Sequence, residues 1–193
     1  MHTSRINPED TIILFADLQE GIADLHLTVT AGALAKGVRG LAKLAKLFEI
    51  PVIVTAVAGE EGKAKILPEI GEELGALPTY FRTTADSFLN EPILEAVKAS
   101  GRKTILIAGV ATELAVLLPA LTGIDLGYRT FVVLDACGGT SQRTEQAALA
   151  RIAAHGGSVV PVISLAGELA GDFSQPKAQA AIGIIFAMAG ASE

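Results

Sequence analysis

Short apolar runs alternate with stretches of helical periodicity along the whole chain. Thr11 to Asp17, Pro51 to Val57, Thr79 to Arg82, Lys103 to Gly109, Arg129 to Asp135 and Ser158 to Ile163 are mostly apolar and rich in β-branched residues, which predicts six strands buried in a sheet. Between the first two, Leu34, Val38, Leu41, Ala45 and Phe48 recur at helical spacing while Lys36, Arg39, Lys43 and Lys46 fall largely elsewhere. That is an amphipathic helix laid on a sheet. A second helix is predicted over Glu91 to Ser100, with Asn90 as its cap, Pro92 in the first turn and Gly101 just past its end. Strand and helix in alternation imply right-handed crossovers and a parallel sheet covered on both faces. The expectation is a three-layer α-β-α domain with a six-stranded parallel sheet in the order 3-2-1-4-5-6. No linker or repeat interrupts it, so residues 1–193 are expected to form one domain. In that order the first and fourth strands are neighbours where the strand order reverses, and ligands bind beyond their carboxyl ends.

Composition narrows the class. A hydrophobic content of 50% over 193 residues is ample for a large core. The formal net charge of −6 argues against nucleic acid as a partner, because affinity there rests on clustered Lys and Arg. The single cysteine, Cys137, cannot close an internal disulfide, which fits a reducing compartment. No signal core is seen at the N-terminus, and no run approaches the roughly 20 apolar residues that span a bilayer. A cytoplasmic location without membrane contact is therefore expected.

Residues 103–116, KTILIAGVATELAV, carry the strongest chemical signal. A buried strand runs straight into a helix start, with Thr112 as the expected N-cap. The free amides of that first turn suit an anion or a developing oxyanion. A cysteine there would be driven toward thiolate, but the chain carries Ala115. Asp17 closes the first strand and Arg82 the third, so both are expected at the same mouth, with Ser87 and Phe88 as wall residues. Plainer readings exist for each. Asp17 could cap a turn, Arg82 could lie on the surface, Thr112 could serve only as a cap, and Glu113 could simply favour the helix dipole. Cys137 reads as a small buried residue. His2, His26 and His155 share no metal-ligand spacing, DLQEG is not a dinucleotide fingerprint, and neither a phosphate loop nor a serine elbow is present. No cofactor or metal is expected.

IILFADLQ at Ile12 to Gln19, RTTADSF at Arg82 to Phe88, AGVATELAV at Ala108 to Val116 and GYRTFVVLDACG at Gly127 to Gly138 occur in order. Together they resemble the isochorismatase-like cysteine hydrolases, most closely the YcaC-like branch, over most of the chain. The resemblance implies the fold already expected. It also implies a catalytic trio of aspartate, lysine and nucleophilic cysteine, which falls here on Asp17, Arg82 and Ala115. One member matches, one is changed and one is missing. A non-proline cis peptide would fall between Val110 and Ala111, with the amides of Ala111 and Ala115 as an oxyanion hole. Gln19, Phe88, Val110, Ala111 and Thr112 are the expected substrate-binding residues.

These departures alter the chemistry. A methyl group cannot attack a carbonyl, which closes a thioester route. Arginine cannot shuttle protons as lysine can, although it clamps carboxylates in two-point fashion. Three readings stand. The first is a small-molecule hydrolase acting on an amide or vinyl ether, either cysteine-free by nature or a Cys-to-Ala form. The second is a catalytically silent relative that binds a small carboxylate or serves as an assembly unit. The third is a nucleotide- or flavin-binding protein, which would keep the fold but lacks the phosphate loop. The loop Ala58 to Glu69 is expected to shape the pocket. The apolar stretches Ala178 to Gly190 and Leu114 to Leu121 are expected either to cover the sheet or to join subunits into a homo-oligomer, as YcaC-like relatives form.

Overall fold

The structure, a computed structural model, describes residues 5–59 and 62–190. Six parallel strands, β1 (Thr11–Ala16), β2 (Val52–Val57), β3 (Thr79–Arg82), β4 (Thr104–Val110), β5 (Arg129–Gly138) and β6 (Ser158–Val160), form one sheet in the order β3-β2-β1-β4-β5-β6. The central pair β1 and β4 is wholly buried, as their unbroken apolar runs require. Successive residues of each strand serve opposite faces. Ile13, Phe15, Leu106 and Ala108 join one apolar layer with helices α1 (Ala31–Phe48) and α6 (Val162–Ala170), extended by α2 (Pro68–Leu74) and α7 (Pro176–Ala189). Ile12, Leu14, Ala16, Ile105 and Ile107 join the other with α3 (Glu91–Ala99), α4 (Leu117–Asp125) and α5 (Gln142–Ala154). The expected three layers and strand order are both present.

Helix α1 shows how sequence sets an interface. Thr30 caps it, its hydroxyl accepting from the Ala33 amide at 3.2 Å, and Glu49 ends it at φ 56°. Leu34, Val38, Leu41 and Ala45 form the buried stripe, and Gly37 lies within it. A Cβ on Gly37 would lie 1.7 Å from the main-chain oxygen of Asp135, so the glycine is what lets α1 lie directly on β5.

Most element ends fall within a residue of expectation, but two strand ends and one cap differ for identifiable reasons. Strand β5 runs on to Gly138 rather than stopping at Asp135, because after a register shift between Ile107 and Gly109 it pairs again through Gly109 with Cys137 and Val110 with Gly138. Strand β6 stops at Val160, because Pro161 has no N–H for the ladder and instead starts α6. Asn90 stands at the N-cap position of α3 without capping it: its Oδ1 accepts from the Thr83 amide at 3.1 Å and its amide donates to Thr84 Oγ1, fastening the loop after β3.

Helix α7 packs against α6 and α1 through Ala178, Ala181 and Ile184, while Phe186 on the same helix is exposed. Leu117, Pro119, Ala120 and Gly123 of α4 are buried on the sheet. Both apolar stretches therefore do serve as covering helices, with Leu114 and Phe186 left outside. Among the described residues no helix is long and apolar enough to cross a membrane.

Candidate functional site

The chain turns sharply where β1 ends. Asp17 adopts φ 56°, its amide donates to the Thr55 carbonyl at 3.0 Å, and its own carbonyl accepts from the Gln19 amide at 2.9 Å. Aspartate is one of the few side chains that tolerates this left-handed conformation. Arg82, at the end of β3 two strands away, meets its carboxylate. The guanidinium Nε donates to Oδ1 at 3.0 Å and to Oδ2 at 2.8 Å, Nη2 also donates to Oδ2, and Nη1 donates to the Thr84 carbonyl at 2.6 Å. With Asp17 1% and Arg82 11% exposed, the pair is nearly shut off from water. Asp17 and Arg82 are thus brought together, but as a closed ion pair: the edge of the guanidinium faces Asp17 rather than offering an open two-point clamp to an incoming carboxylate.

Strand β4 delivers the second part. The peptide between Val110 and Ala111 is cis, and residues Thr112–Val116 form a π-helical turn that leads into α4. Ala115 is buried and packs in the same apolar layer as Ala16, which neighbours Asp17. Its amide donates to the Ala111 carbonyl at 2.9 Å, so that N–H is engaged within the turn and does not stand free as an oxyanion donor. Thr112 is not the cap: Ala111 occupies that position, and the Thr112 hydroxyl donates to Glu145 Oε1 at 2.8 Å. The cause is the turn itself, which begins one residue earlier than expected, at Thr112, so that the Thr112 side chain lies within it and reaches α5. Glu113 accepts from the Thr140 amide at 3.0 Å and the Thr140 hydroxyl at 2.9 Å, and also from the Thr144 hydroxyl. Burial pushes the Glu113 carboxyl up, but these bonds together outweigh it and hold it below its usual range.

The remaining sequence candidates are engaged in structure. Gln19 pairs with Val57 like an extra strand residue, its Oε1 accepting from the Val57 amide at 2.9 Å and its Nε2 donating to the Val57 carbonyl at 3.0 Å. Phe88 is buried among the α3, α4 and sheet residues, so it supports the mouth from beneath, and Ser87 beside it is buried too. Gln19 also borders a cleft of about 550 Å³ with Glu20, Gly59, Lys63, Ala64 and Lys65, so the loop after β2 does shape a cleft. Residues 60 and 61 of that loop, and His2, lie outside the described residues. Sequence reading missed Thr84 and Thr55, which hold Arg82 and Asp17 through main-chain carbonyls. A main-chain acceptor leaves no residue-type signal.

Cys137 faces the same layer as Ala115, with its Sγ 3.9 Å from the Ile107 carbonyl. Burial pushes its thiol up to about 12. The expected result is no labelling of the native protein by an aromatic disulfide reagent between pH 7 and 9, and one thiol per chain after denaturation. Rapid native labelling would refute this placement. Among the described residues no cluster of His, Cys, Asp and Glu is arranged to hold a metal.

A doubly wound α/β domain with an acid, a cation and a strand-to-helix turn gathered at its strand reversal is the class these features define. The chain belongs to the isochorismatase family: the isochorismatase domain matches residues 11–164. It is similar to the probable hydrolase YcaC of Escherichia coli (strain K12), 32% identical over 170 residues that cover 88% of this chain and 82% of that one. Isochorismatase domain-containing protein 2B of Mus musculus is 33% identical over 150 residues, covering 77% of this chain and 68% of that protein. The crystal structure of Escherichia coli YcaC, described as an octameric hydrolase of unknown specificity, superposes with a TM-score of 0.88 at 30% identity, over 96% of this chain and 91% of that one. YcaC from Pseudomonas aeruginosa with hexane-2,5-diol and covalent acrylamide gives a TM-score of 0.89 at 29% identity, covering 98% and 96%.

Proposed function

We propose that the chain is a small-molecule hydrolase of the YcaC type whose reaction centre lies between the Asp17–Arg82 ion pair and the Thr112–Val116 turn, and that Ala115 stands where relatives carry the cysteine nucleophile. The observation that supports it most is the burial of Asp17 against Arg82 at the carboxyl end of β1, one residue beyond the small side chain that packs with Ala115. A charge pair nearly shut off from water is weak as a source of stability, and at a ligand-binding edge it is more useful as a fixed electrostatic feature. Hydrolysis then proceeds without a thioester, with water as the attacking group and an amide or vinyl ether as substrate. The engaged guanidinium and the engaged Ala115 amide favour a neutral reacting group over an anionic one.

A silent, carboxylate-binding relative is the second reading, and the methyl group at Ala115 is what favours it. Assembly into a homo-oligomer goes with either reading. Exposed Phe186 and Leu114 supply apolar surface for it, and the octamer described for Escherichia coli YcaC supports it by similarity.

Ala115→Cys tests the placement without knowledge of the substrate. Because the Pseudomonas aeruginosa relative carries covalent acrylamide, acrylamide is the probe. Intact-mass spectrometry is expected to show one adduct on native Ala115→Cys and none on the parent, whose Cys137 is buried. Equal labelling of both would remove position 115 from the site. Turnover of amides and vinyl ethers by the parent, lost in Asp17→Asn, would support the cysteine-free reaction; turnover by Ala115→Cys alone would support the silent reading.

A further inference from the structure

Two buried hydroxyls, in the two segments whose main chain holds Asp17 and Arg82, have no partner. Thr55 is 0% and Ser87 2% exposed, and neither Thr55 Oγ1 nor Ser87 Oγ makes a hydrogen bond among the described residues. A buried hydroxyl without a partner loses its hydration and gains nothing in return, so each such group in a native fold calls for a cause. Valine would serve a β-strand core better at position 55.

The placement of both residues points to the site. Thr55 sits on β2 in register with Ala16 of β1 and Tyr80 of β3, and its carbonyl holds the Asp17 amide. Strand alternation puts its side chain on the face of Ile53, which belongs to the layer containing Ala115 and Phe88. Ser87 lies on the loop that holds Arg82 through the Thr84 carbonyl, next to Phe88 of that same layer. Along the row through Thr55, the sheet neighbours are Ala16, then Gly109, then Cys137, all small. The ligand such groups would take is uncharged. Asp17 is already neutralised by Arg82, and a further ion at this depth would stand uncompensated.

We propose that the Thr55 and Ser87 hydroxyls form a subsite for one neutral hydrogen-bonding oxygen, a water molecule in the resting protein, held beside Asp17. In such a subsite the two hydroxyls and the carboxylate would supply the partners that a buried water requires. Its use as the hydrolytic co-substrate rests on the function proposed above; its presence does not.

Crystal structures of the parent and of Thr55→Val, at a resolution that orders internal water, test the subsite. The expected result is a water within about 3.2 Å of both hydroxyl oxygens in the parent, absent from Thr55→Val. Urea unfolding of Thr55→Val, Ser87→Ala and the double variant supplies a second readout. Both single variants are expected to lower the midpoint, and the double variant is expected to fall no further than the worse single one, since either change releases the same water. A dry site, hydroxyls bonded to main chain, a raised midpoint for Thr55→Val, or strictly additive losses would each overturn the proposal. An unoccupied subsite in a protein that hydrolyses a substrate would reject this inference alone. An occupied one in a protein inert toward every amide and vinyl ether would reject only the hydrolytic reading.

Discussion

Arg82→Leu is expected to destabilise the protein by about 3–5 kcal/mol, the usual loss when one partner of a buried ion pair is removed and the other is left behind. Asp17 is 1% exposed and takes hydrogen bonds from the Arg82 Nε and Nη2 groups, so the variant strands a carboxylate with no route to solvent. The Thr84 carbonyl loses its donor as well. Set against a typical stability of about 5–15 kcal/mol, this is a large fraction of the whole. Asp17→Asn combined with Arg82→Leu is expected to recover much of the loss, because no charge is then left unpaired. Arg82→Lys keeps the charge but not the planar fork, and should fall between. A urea double-mutant cycle measures the coupling directly. An Arg82→Leu midpoint indistinguishable from that of the parent would mean that the pair is open to water, contrary to the burial described.

Gly37→Ala is the second large effect expected, and it runs against helix propensity. In an exposed helix interior this substitution stabilises by up to about 1 kcal/mol. Here the added methyl would lie 1.7 Å from the Asp135 oxygen and 2.4 Å from its carbonyl carbon. Both atoms are main chain within β5, so neither can swing aside. Helix α1 would have to lift from the sheet, opening the stripe formed by Leu34, Val38, Leu41 and Ala45. A loss of more than about 3 kcal/mol is expected, in the range seen when core packing is forced apart. Gly32→Ala in the same helix is the control, because a methyl there meets nothing within 4 Å. If both variants unfolded at the same urea concentration, the close approach of α1 to β5 would be wrong.

The strands were legible because burial on both faces writes itself as continuous apolar sequence. Ile105 to Ala108 can be read in no other common way once helices flank them. Strand ends were less legible: β5 passes Asp135 only because a register shift near Gly109 lets pairing resume, and such shifts have no residue signature. Asp17 and Arg82 could be placed at one mouth from strand order alone, since each closes a strand on the same side of the reversal. Their mutual engagement could not, because it depends on side-chain reach across β2. Thr112 was misplaced for a local reason. A hydroxyl after a strand looks like a cap whether the turn that follows is α or π, and only the turn's hydrogen bonds decide. Gln19 came with the family resemblance, and that its amide pairs with the main chain of β2 has no signature in sequence.

The left-handed backbone at Asp17 bears on how the protein can change over evolutionary time. At φ 56° glycine, asparagine and aspartate sit with the least strain, and valine or isoleucine would be strongly disfavoured. Glycine and asparagine would both leave the Arg82 guanidinium without its counter-ion. Substitutions at position 17 are therefore expected to cost stability whatever they do to chemistry. A lineage that had abandoned catalysis would still be expected to retain this aspartate, for the shape of the turn and the ion pair alone.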